Sequence, residues 1–458
     1  MSGGILRGEP LVRRLGCCLL LLVVSGLGAH AQASPPPPTS STVTPDILPI
    51  PPEAQPSDHF DAEAATNAYL ALMPKQARER SDAYFEGGYW LQLWDFLLGS
   101  VAISLILLEL GWSGRMRDFA ERVTRWKPLH TLVYWAQYLL VTSILGFPLA
   151  VYEGYFREHQ YGLATQTFGP WFEDQVKGFL VSLVLFGIVL VFLFGVVRRF
   201  PNTWWIGGSL VSLLFVVFVV LISPVYLVPI FNDVTPLKDP KIVDPVLRLA
   251  RANGIPSRDV YEIDASRQTT RMSANVSGFG STMRITMNDN LVRRGTPEEI
   301  EAVMGHEMGH YVLNHVYLGL LFAVVVIVCA FAFFDWSLGF SLARWGGRWG
   351  IRGVGDLAVL PLAALLASAF FFFLTPILNT FVRSQEKEAD MYGLNASRAP
   401  DGFARAAIHL GEYRKMSPGP FEEWVFYDHP SGRNRIHSAM VWKAENLVNP
   451  RTEGGAPR

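Results

Sequence analysis

Six long apolar runs, separated by polar stretches, dominate the pattern of hydrophobic and polar positions along this chain. They lie at 91–111, 131–151, 178–197, 205–228, 316–334 and 357–378. A helix needs about 20 consecutive apolar residues to cross the hydrocarbon of a bilayer. The runs therefore predict a mostly α-helical, multi-span membrane protein, a helical transmembrane bundle with long polar regions after the fourth and sixth runs.

The N-terminus carries a different pattern. Residues 1–33 combine Arg7, Arg13 and Arg14 with a short apolar run and Ala29-His30-Ala31. A basic start, a short apolar stretch and a small-x-small site predict a signal peptide, and an uncleaved N-terminal anchor is the alternative. The proline-rich, almost uncharged residues 34–57 predict an extended linker.

Composition narrows the class of protein. Half of the residues are hydrophobic and the net charge is −1. The basic residues form no stripe, so nucleic acid is not an expected partner. Three cysteines, Cys17, Cys18 and Cys329, predict neither a disulfide framework nor a cysteine zinc site.

The candidate chemistry lies just before the fifth run, in His306-Glu307-Met308-Gly309-His310. Residues four apart share one face of a helix, so His306 and His310 can bind one metal ion, and Glu307 can act as the general base. Thr296-Pro297-Glu298-Glu299 predicts the start of that helix through a capping box and a proline. Gly305 and Gly309 weaken a helix, which indicates that another segment approaches closely there.

A third ligand is expected after the sixth run. The fifth and sixth runs form a hairpin that returns to the face it left, so Glu386 can meet His306 and His310. Two imidazoles and a carboxylate leave one position open, as in a hydrolytic zinc site, and another divalent ion is the alternative. Asp390, one turn later, can orient a ligand histidine.

Glu388 points to another side of the helix and is expected to be dispensable. The alternative is that these acids form a solvated helix face.

These elements divide the chain into seven segments, with a small α+β zincin-like catalytic domain split by the hairpin. The predicted segments are the signal peptide or anchor 1–33, linker 34–57, N-terminal membrane domain of four spans 58–230, catalytic domain with the metal-binding helix 231–315, transmembrane hairpin 316–378, C-terminal catalytic part 379–445 and tail 446–458.

H-E-x-x-H, a membrane hairpin and E-x-x-x-D together resemble the integral-membrane zinc metallopeptidases of the CAAX prenyl endopeptidase family, over about residues 60–445. The resemblance implies a gluzincin with one Zn²⁺ per chain, held by His306, His310 and Glu386. It also implies that Asn275 lies on an edge strand that pairs with the substrate backbone. His429 and Arg435 would polarise the scissile carbonyl or bind its oxyanion.

Two further features bear on the resemblance. The stretch Tyr152–His159 looks like a family loop between two early spans. Ser277 and Gly278 stand where the eukaryotic enzymes have aromatic residues after the asparagine. The expected substrate is therefore a peptide or protein, lipidated or not, cut at or within the membrane boundary.

Charge predicts the orientation in the membrane. Arginines and a lysine cluster in the loop after the first span, at 115–127, and more arginines lie at 198–199 and 344–352. The positive-inside rule makes these loops cytoplasmic and puts the metal site on the periplasmic or lumenal face, in a bacterial inner membrane. The resemblance to eukaryotic relatives implies the opposite side.

Two alternatives remain for the function. One is a general quality-control metalloprotease that cuts misfolded membrane proteins. The other belongs to a different class, an inactive membrane scaffold or lipid-binding protein. Glu307 favours an enzyme, because a binding protein does not need a general base.

Overall fold

The computed structural model describes residues 47–278 and 283–448. The predicted signal peptide or anchor at 1–33, the first part of the linker at 34–46 and the end of the tail at 449–458 lie outside the described residues. In chain order the helices are α1 Ala62–Ala71, α2 Lys75–Glu109, α3 Trp112–Val123, α4 Lys127–Gln160, α5 Phe168–Arg199, α6 Trp204–Phe231, α7 Pro240–Ala252, α8 Asp289–Arg294, α9 Pro297–Val312, α10 His315–Trp345, α11 Leu360–Ser397, α12 Pro400–Leu410, α13 Pro420–Phe426 and α14 Gly432–Lys443.

Six helices of the described chain are long and apolar enough to cross a membrane, which confirms the six predicted spans. They are α2, α4, α5, α6, α10 and α11. Each is longer than the apolar run inside it, because a helix continues into polar sequence until a cap or a breaking residue ends it. The continuation of α11 past the apolar run carries Glu386 and Asp390 on the same helix.

The polar region between α6 and α10 contains a small sheet, as an α+β unit requires. Its strands are β1 Val234–Pro236, β2 Val260–Ile263, β3 Ala274–Ser277 and β4 Arg284–Asn288. The strand order is β1-β2-β4-β3, with β2 parallel to β4 and the other pairs antiparallel. Strand β3 therefore lies at an edge. Buried side chains of β4 and α9 share one core, which fixes the sheet against the helix that carries the metal motif.

The helices α9 and α11 approach each other closely. A Cβ atom at Gly305 would lie 3.0 Å from the carbonyl oxygen of Gly393, and one at Gly309 would lie 3.2 Å from the Cα atom of Ala389. A Cβ atom at Gly393 would lie 2.7 Å from the backbone nitrogen of His306. These contacts confirm the prediction that the two glycines of the metal helix are retained for close approach of another segment.

The last part of the predicted linker is packed rather than extended. Leu48 and Ala54 are buried against α1, α12 and α14, in one apolar cluster. Lys443 of α14 donates from Nζ to the carbonyl oxygen of Ala54 over 2.6 Å and pairs with Asp401. Proline limits backbone freedom but does not prevent burial, so apolar side chains between prolines can still pack. The other domain boundaries stay predictions.

Candidate metal centre

Helix α9 begins as the sequence predicts. The backbone N–H of Thr296 donates to Glu299 Oε2 over 2.7 Å, and the N–H of Glu299 donates to Thr296 Oγ1 over 3.4 Å. Pro297 occupies the first helical position. This capping box satisfies backbone donors that the first turn would otherwise leave without acceptors. The helix then runs without interruption through His306 and His310.

Three buried side chains from α9 and α11 converge on one point. The Nε2 atoms of His306 and His310 are 3.2 Å apart. Glu386 Oε2 lies 3.2 Å from His306 Nε2, and Glu386 Oε1 lies 3.7 Å from His310 Nε2. All three residues are at most 7% exposed. Among the described residues, they form the group of side chains that could hold a metal ion.

These distances fit a tetrahedral metal ion. Ligand atoms placed 2.0–2.2 Å from zinc in that geometry lie roughly 3.3–3.6 Å apart, close to the observed separations of 3.2 to 3.7 Å. Glu386 Oε2 is also buried without a hydrogen-bond partner. A buried carboxylate oxygen that faces two imidazole nitrogens is the arrangement that a cation satisfies. The residues present therefore suit a His, His, Glu metal site.

Asp390 and Arg435 lie behind His306. Asp390 Oδ1 is 2.7 Å from His306 Nδ1, so Nε2 of that ring is directed at the metal position. Arg435 donates to both oxygens of Asp390, from Nε over 3.0 Å and from Nη2 over 2.5 Å. Asp390 thus lies where a residue that orients a ligand histidine must lie. Arg435 reaches the site through Asp390, and its predicted contact with substrate stays a prediction.

His310 has a partner that the sequence analysis missed. His310 Nδ1 lies 2.9 Å from His315 Nδ1, and His315 Nε2 lies 3.2 Å from Glu388 Oε2. Since a carboxylate only accepts, His315 donates to Glu388 and accepts from His310, which leaves the lone pair of His310 Nε2 for the metal. Glu388 does lie on another side of α11 than the buried Glu386 and Asp390, because its side chain is 63% exposed, but it contacts His315. That Glu388 is dispensable stays a prediction.

The turn after α9 brings His315 back to the site. On a continuous helix, a residue five positions after His310 would leave the face of the two ligands. Helix α9 ends at Val312, and Asn314 takes a left-handed backbone conformation with φ of 60° before α10 starts at His315. The sequence did contain a signal for this contact. A third histidine follows the motif closely, and the asparagine before it is a residue that tolerates the left-handed conformation.

Burial and neighbouring charges shift the acidity of the site. Burial raises the pKa of Glu307 above that of an ordinary glutamate. Burial by itself lowers the pKa of His306, but the adjacent carboxylates of Asp390 and Glu386 raise it to about 10. A proton therefore competes with a metal ion for His306. Burial likewise lowers the pKa of Arg435, but Asp390 raises it, so this side chain keeps its charge.

His429 also lies in the site. Its Nε2 is 3.0 Å from Glu386 Oε2 and its Nδ1 is 3.0 Å from Asp428 Oδ1. Helix α11 holds the segment that leads to His429: Asn379 donates to the carbonyl oxygen of Val425 over 2.6 Å, and Arg383 donates to backbone carbonyls on either side of it. The predicted role of His429 toward substrate stays a prediction.

Asn275 lies on the edge strand β3, where the resemblance placed it. It is 8% exposed, and its Oδ1 atom is buried without a hydrogen-bond partner. Ser273 and Ala274, the two preceding residues, line the cavity described below. A free acceptor on an edge strand is suited to a backbone N–H of an added chain.

A cavity of about 690 Å³ adjoins the three candidate ligands. Its walls come from the membrane helices α2 and α4, from β3, from α9 and α11, and from the segment that contains His429. Glu307 lines it beside His306 and His310. A space of this size can admit a small molecule or a few residues of an extended peptide.

Models of two protein families match adjacent segments of the chain. "Peptidase family M48" matches residues 236–443, and "CAAX prenyl protease N-terminal, five membrane helices" matches residues 62–233. The first segment carries the candidate ligands and β3. The second carries α1 to α6.

Several known proteins are similar over most of their length. "Uncharacterized metalloprotease YhfN" of Bacillus subtilis is 33% identical over 343 residues, which are 74% of this chain and 80% of that protein. "CAAX prenyl protease 1 homolog" of Arabidopsis thaliana is 30% identical over 329 residues, 68% of this chain and 73% of that protein. The crystal structure of S. mikatae Ste24p covers 84% of this chain and 90% of its own, with 21% identity and a TM-score of 0.63. This likeness confirms the predicted fold class.

Proposed function

The chain belongs to peptidase family M48, and from this premise we propose that it is a zinc-dependent endopeptidase that cuts peptide bonds at or within the membrane boundary. The family and the six apolar helices make it a multi-pass membrane metalloendopeptidase, as predicted. The observation that carries the proposal is the convergence of His306, His310 and Glu386 beside a cavity that membrane helices help to line.

Zinc is the proposed metal, with His306, His310 and Glu386 as its ligands. Two imidazole nitrogens and one carboxylate suit zinc better than calcium or magnesium, which prefer oxygen ligands alone. When bound, zinc supplies a Lewis acid that makes a water molecule nucleophilic at neutral pH and polarises the scissile carbonyl. Asp390 and Arg435 keep His306 in place, and His315 does the same for His310.

Glu307 is the proposed general base. It follows His306 directly and lines the cavity, so its carboxylate can accept a proton from the attacking water and return it to the leaving amine. Its raised pKa suits both steps, because a carboxyl group nearer neutrality exchanges protons more readily at cellular pH. His429 is proposed to donate to the oxyanion of the tetrahedral intermediate, and Asn275 to pair with the substrate backbone.

The proposed substrate is a peptide or protein that reaches the cavity from the membrane. The relatives named CAAX prenyl protease support CAAX-type processing as one form of this function. The cavity lining includes Leu91, Gln92 and Asn379 of the membrane helices α2 and α11. A labelled prenylated peptide compared with an unmodified membrane-protein fragment separates CAAX-type processing from general quality control. Cleavage of the prenylated peptide alone supports CAAX processing.

The active site is proposed to face the periplasm or lumen, in a bacterial inner membrane. The three basic segments at 115–127, 198–199 and 344–352 lie together on one face of the bundle. Arg117 pairs with Asp356 over 2.6 Å, and Arg198 donates to the carbonyl oxygen of Gly355 over 3.3 Å. Since α10 and α11 cross from this face to the metal centre, a cytoplasmic basic face supports an exported active site.

The test compares the purified, detergent-solubilised protein with Glu307→Ala. We expect about one zinc ion per chain in both proteins and peptide cleavage by the unchanged protein. The variant should lose about 100- to 10,000-fold in rate, the contribution typical of a general base. Removing the metal with a chelator should abolish cleavage, and zinc should restore it. Equal inactivity of both proteins on a broad peptide panel, or no bound metal, would favour the scaffold or lipid-binding alternative.

A further inference from the structure

Three arginines that the zinc chemistry does not use line the same cavity as the metal centre. They are Arg157 of α4, Arg271 just before β3 and Arg414 after α12. The Arg157 guanidinium lies 4.0 Å from the centre of the Tyr84 ring. Those of Arg271 and Arg414 lie 5.3 and 5.9 Å from the centre of the Tyr413 ring. Two tyrosine rings thus gather three cations on the cavity wall.

Arg271 is already neutralised. Its Nη2 atom lies 2.7 Å from Glu158 Oε2, and the Tyr84 hydroxyl donates to Glu158 Oε1 over 2.7 Å. Two other carboxylates from the membrane helices, Asp95 and Glu153, also line the cavity, and each interacts with a neighbour. Glu158 is therefore committed to Arg271 and Tyr84.

Arg157 and Arg414 have no such partner. In residues 47–278 and 283–448, no ion pair includes either of them. Arg157 is 7% exposed and donates from Nη2 to the carbonyl oxygen of Tyr84. A guanidinium has five N–H donors, and one carbonyl cannot satisfy them. A buried cation near the end of a membrane helix is unfavourable unless an anion comes to it.

Two glycines leave space at the Arg157 guanidinium. A Cβ atom at Gly87 would lie 3.4 Å from Arg157 Nη2, and one at Gly88 would lie 3.9 Å from it. Gly88 itself lines the cavity. Gly87 and Gly88 of α2 therefore place no side chain at Arg157 Nη2, while the Tyr84 ring of the same helix packs on the face of the guanidinium, which lines the cavity.

We propose that Arg157 and Arg414 form an anion subsite of the cavity, which binds a carboxylate of the peptide substrate. A guanidinium matches the two oxygens of a carboxylate with two parallel hydrogen bonds. Arg271 precedes Ser273 and Ala274, which line the cavity beside the edge strand, so a peptide extended along β3 passes this wall. The subsite rests on the proposed peptidase function, because its ligand arrives as part of the substrate.

The test uses matched peptides that differ only in their carboxylate. One ends in a free C-terminal carboxylate, one in a carboxamide, and one in a carboxamide preceded by glutamate. We expect kcat/KM of the full-length enzyme to be about 10- to 100-fold lower for the carboxamide peptide than for the free acid, because a charge-assisted hydrogen bond is lost. Most of this difference should be a higher KM. If kcat/KM recovers with the glutamate peptide, the subsite accepts a carboxylate from a side chain as well as from the C-terminus. If kcat/KM does not recover, the subsite binds the C-terminal carboxylate specifically.

Two variants and a control locate the effect. Arg157→Gln and Arg414→Gln should each reduce the difference between acid and amide peptides toward equality. Arg80→Gln is the control. Arg80 lies on α2, donates to the carbonyl oxygens of Gln160 and Tyr161 just after Arg157, and does not line the cavity. It should keep the full difference.

The wild-type comparison stands even if a variant fails to fold. Equal kcat/KM of the wild type for acid and amide peptides overturns the subsite while leaving the peptidase intact. The same holds if both arginine variants fold, bind zinc and still discriminate as the control does. Absence of cleavage of all three peptides by wild-type protein contradicts the proposed function itself.

Discussion

At the scale of single residues, the two candidate ligand histidines are held by different partners. His306 contacts the buried Asp390, which is fixed by Arg435. His310 contacts the buried His315, whose other nitrogen reaches the exposed Glu388. Both arrangements keep a proton on Nδ1, so each ring directs Nε2 at the metal position. The contacts of His306 end at the buried ion pair of Asp390 and Arg435, and those of His310 end at Glu388 on the protein surface.

We predict that His315→Ala weakens zinc binding. The change removes the acceptor for His310 Nδ1, so the ring loses its fixed tautomer and orientation. Partners of this kind typically contribute about 10- to 100-fold in metal affinity. The measurement is the zinc dissociation constant of the purified protein in a metal-buffered titration, without reference to cleavage.

Glu388→Gln is the matched control for that prediction. Glu388 belongs to the same chain of contacts but is largely exposed, where water can replace it, so its affinity loss should be smaller than that of His315→Ala. Zinc affinity of His315→Ala equal to that of the wild type would show that His310 needs no partner at Nδ1.

At the scale of elements, the metal centre depends on how closely α9 and α11 pack. Gly305 and Gly309 face Gly393 and Ala389, so backbone meets backbone across the helix pair. Without Cβ atoms in between, Glu386 on α11 comes within 3.2 Å of His306 on α9. Each glycine weakens its helix by roughly 1 kcal/mol relative to alanine, and the close packing offsets that cost.

We predict that Gly393→Ala disrupts the metal centre although no ligand changes. The new Cβ atom would lie 2.7 Å from the backbone nitrogen of His306, so α11 must move away from α9. Overpacking of this kind costs about 1–3 kcal/mol, and the shift would separate Glu386 from the histidines. We expect lower zinc occupancy and a lower melting temperature, both measured on the purified protein.

Gly339→Ala provides the comparison. Gly339 lies inside α10, and a Cβ atom there would meet no other atom within 4 Å. The substitution should be neutral or stabilise the helix by up to about 1 kcal/mol. If Gly393→Ala behaved like Gly339→Ala in zinc occupancy and melting temperature, the close approach would not be what positions Glu386.

At the scale of the whole molecule, the basic loops and the metal centre lie at opposite ends of α10 and α11. Arg352 pairs with Glu121 over 2.8 Å and Arg348 with Glu109 over 2.6 Å, which ties the loop after α10 to the loop after α2. The packed N-terminal segment around Leu48 and Ala54 lies against α14, on the side of the metal centre. The residues before α2 and the C-terminal part therefore share one face.

We predict that a reporter active only after export is active when fused after Arg458. The same reporter fused after Gly347, in the loop between α10 and α11, should be inactive, because the basic loops stay in the cytoplasm. Reporter activity measured in bacterial cells distinguishes the two orientations. The reverse pattern would put the metal centre in the cytoplasm, as the resemblance to eukaryotic relatives implies.

The sequence by itself determined the membrane class, the six spans and the start of the metal helix. These follow from local rules: about 20 apolar residues for a span, a capping box for a helix start and a spacing of four for residues on one helix face. His306 and His310 are close because they are one turn apart. The hairpin also placed Glu386 on the right face, since a chain that crosses a membrane twice returns to the side it left.

Only the tertiary structure decided the contacts between segments that no local rule connects. The role of His315 depends on the left-handed turn at Asn314, and the cluster of Arg157, Arg271 and Arg414 joins residues far apart in sequence. The burial of Leu48 and Ala54 likewise depends on partners in α14. Such contacts arise from packing over the whole chain, where the burial of apolar surface and the pairing of charges choose among arrangements that the local sequence permits equally.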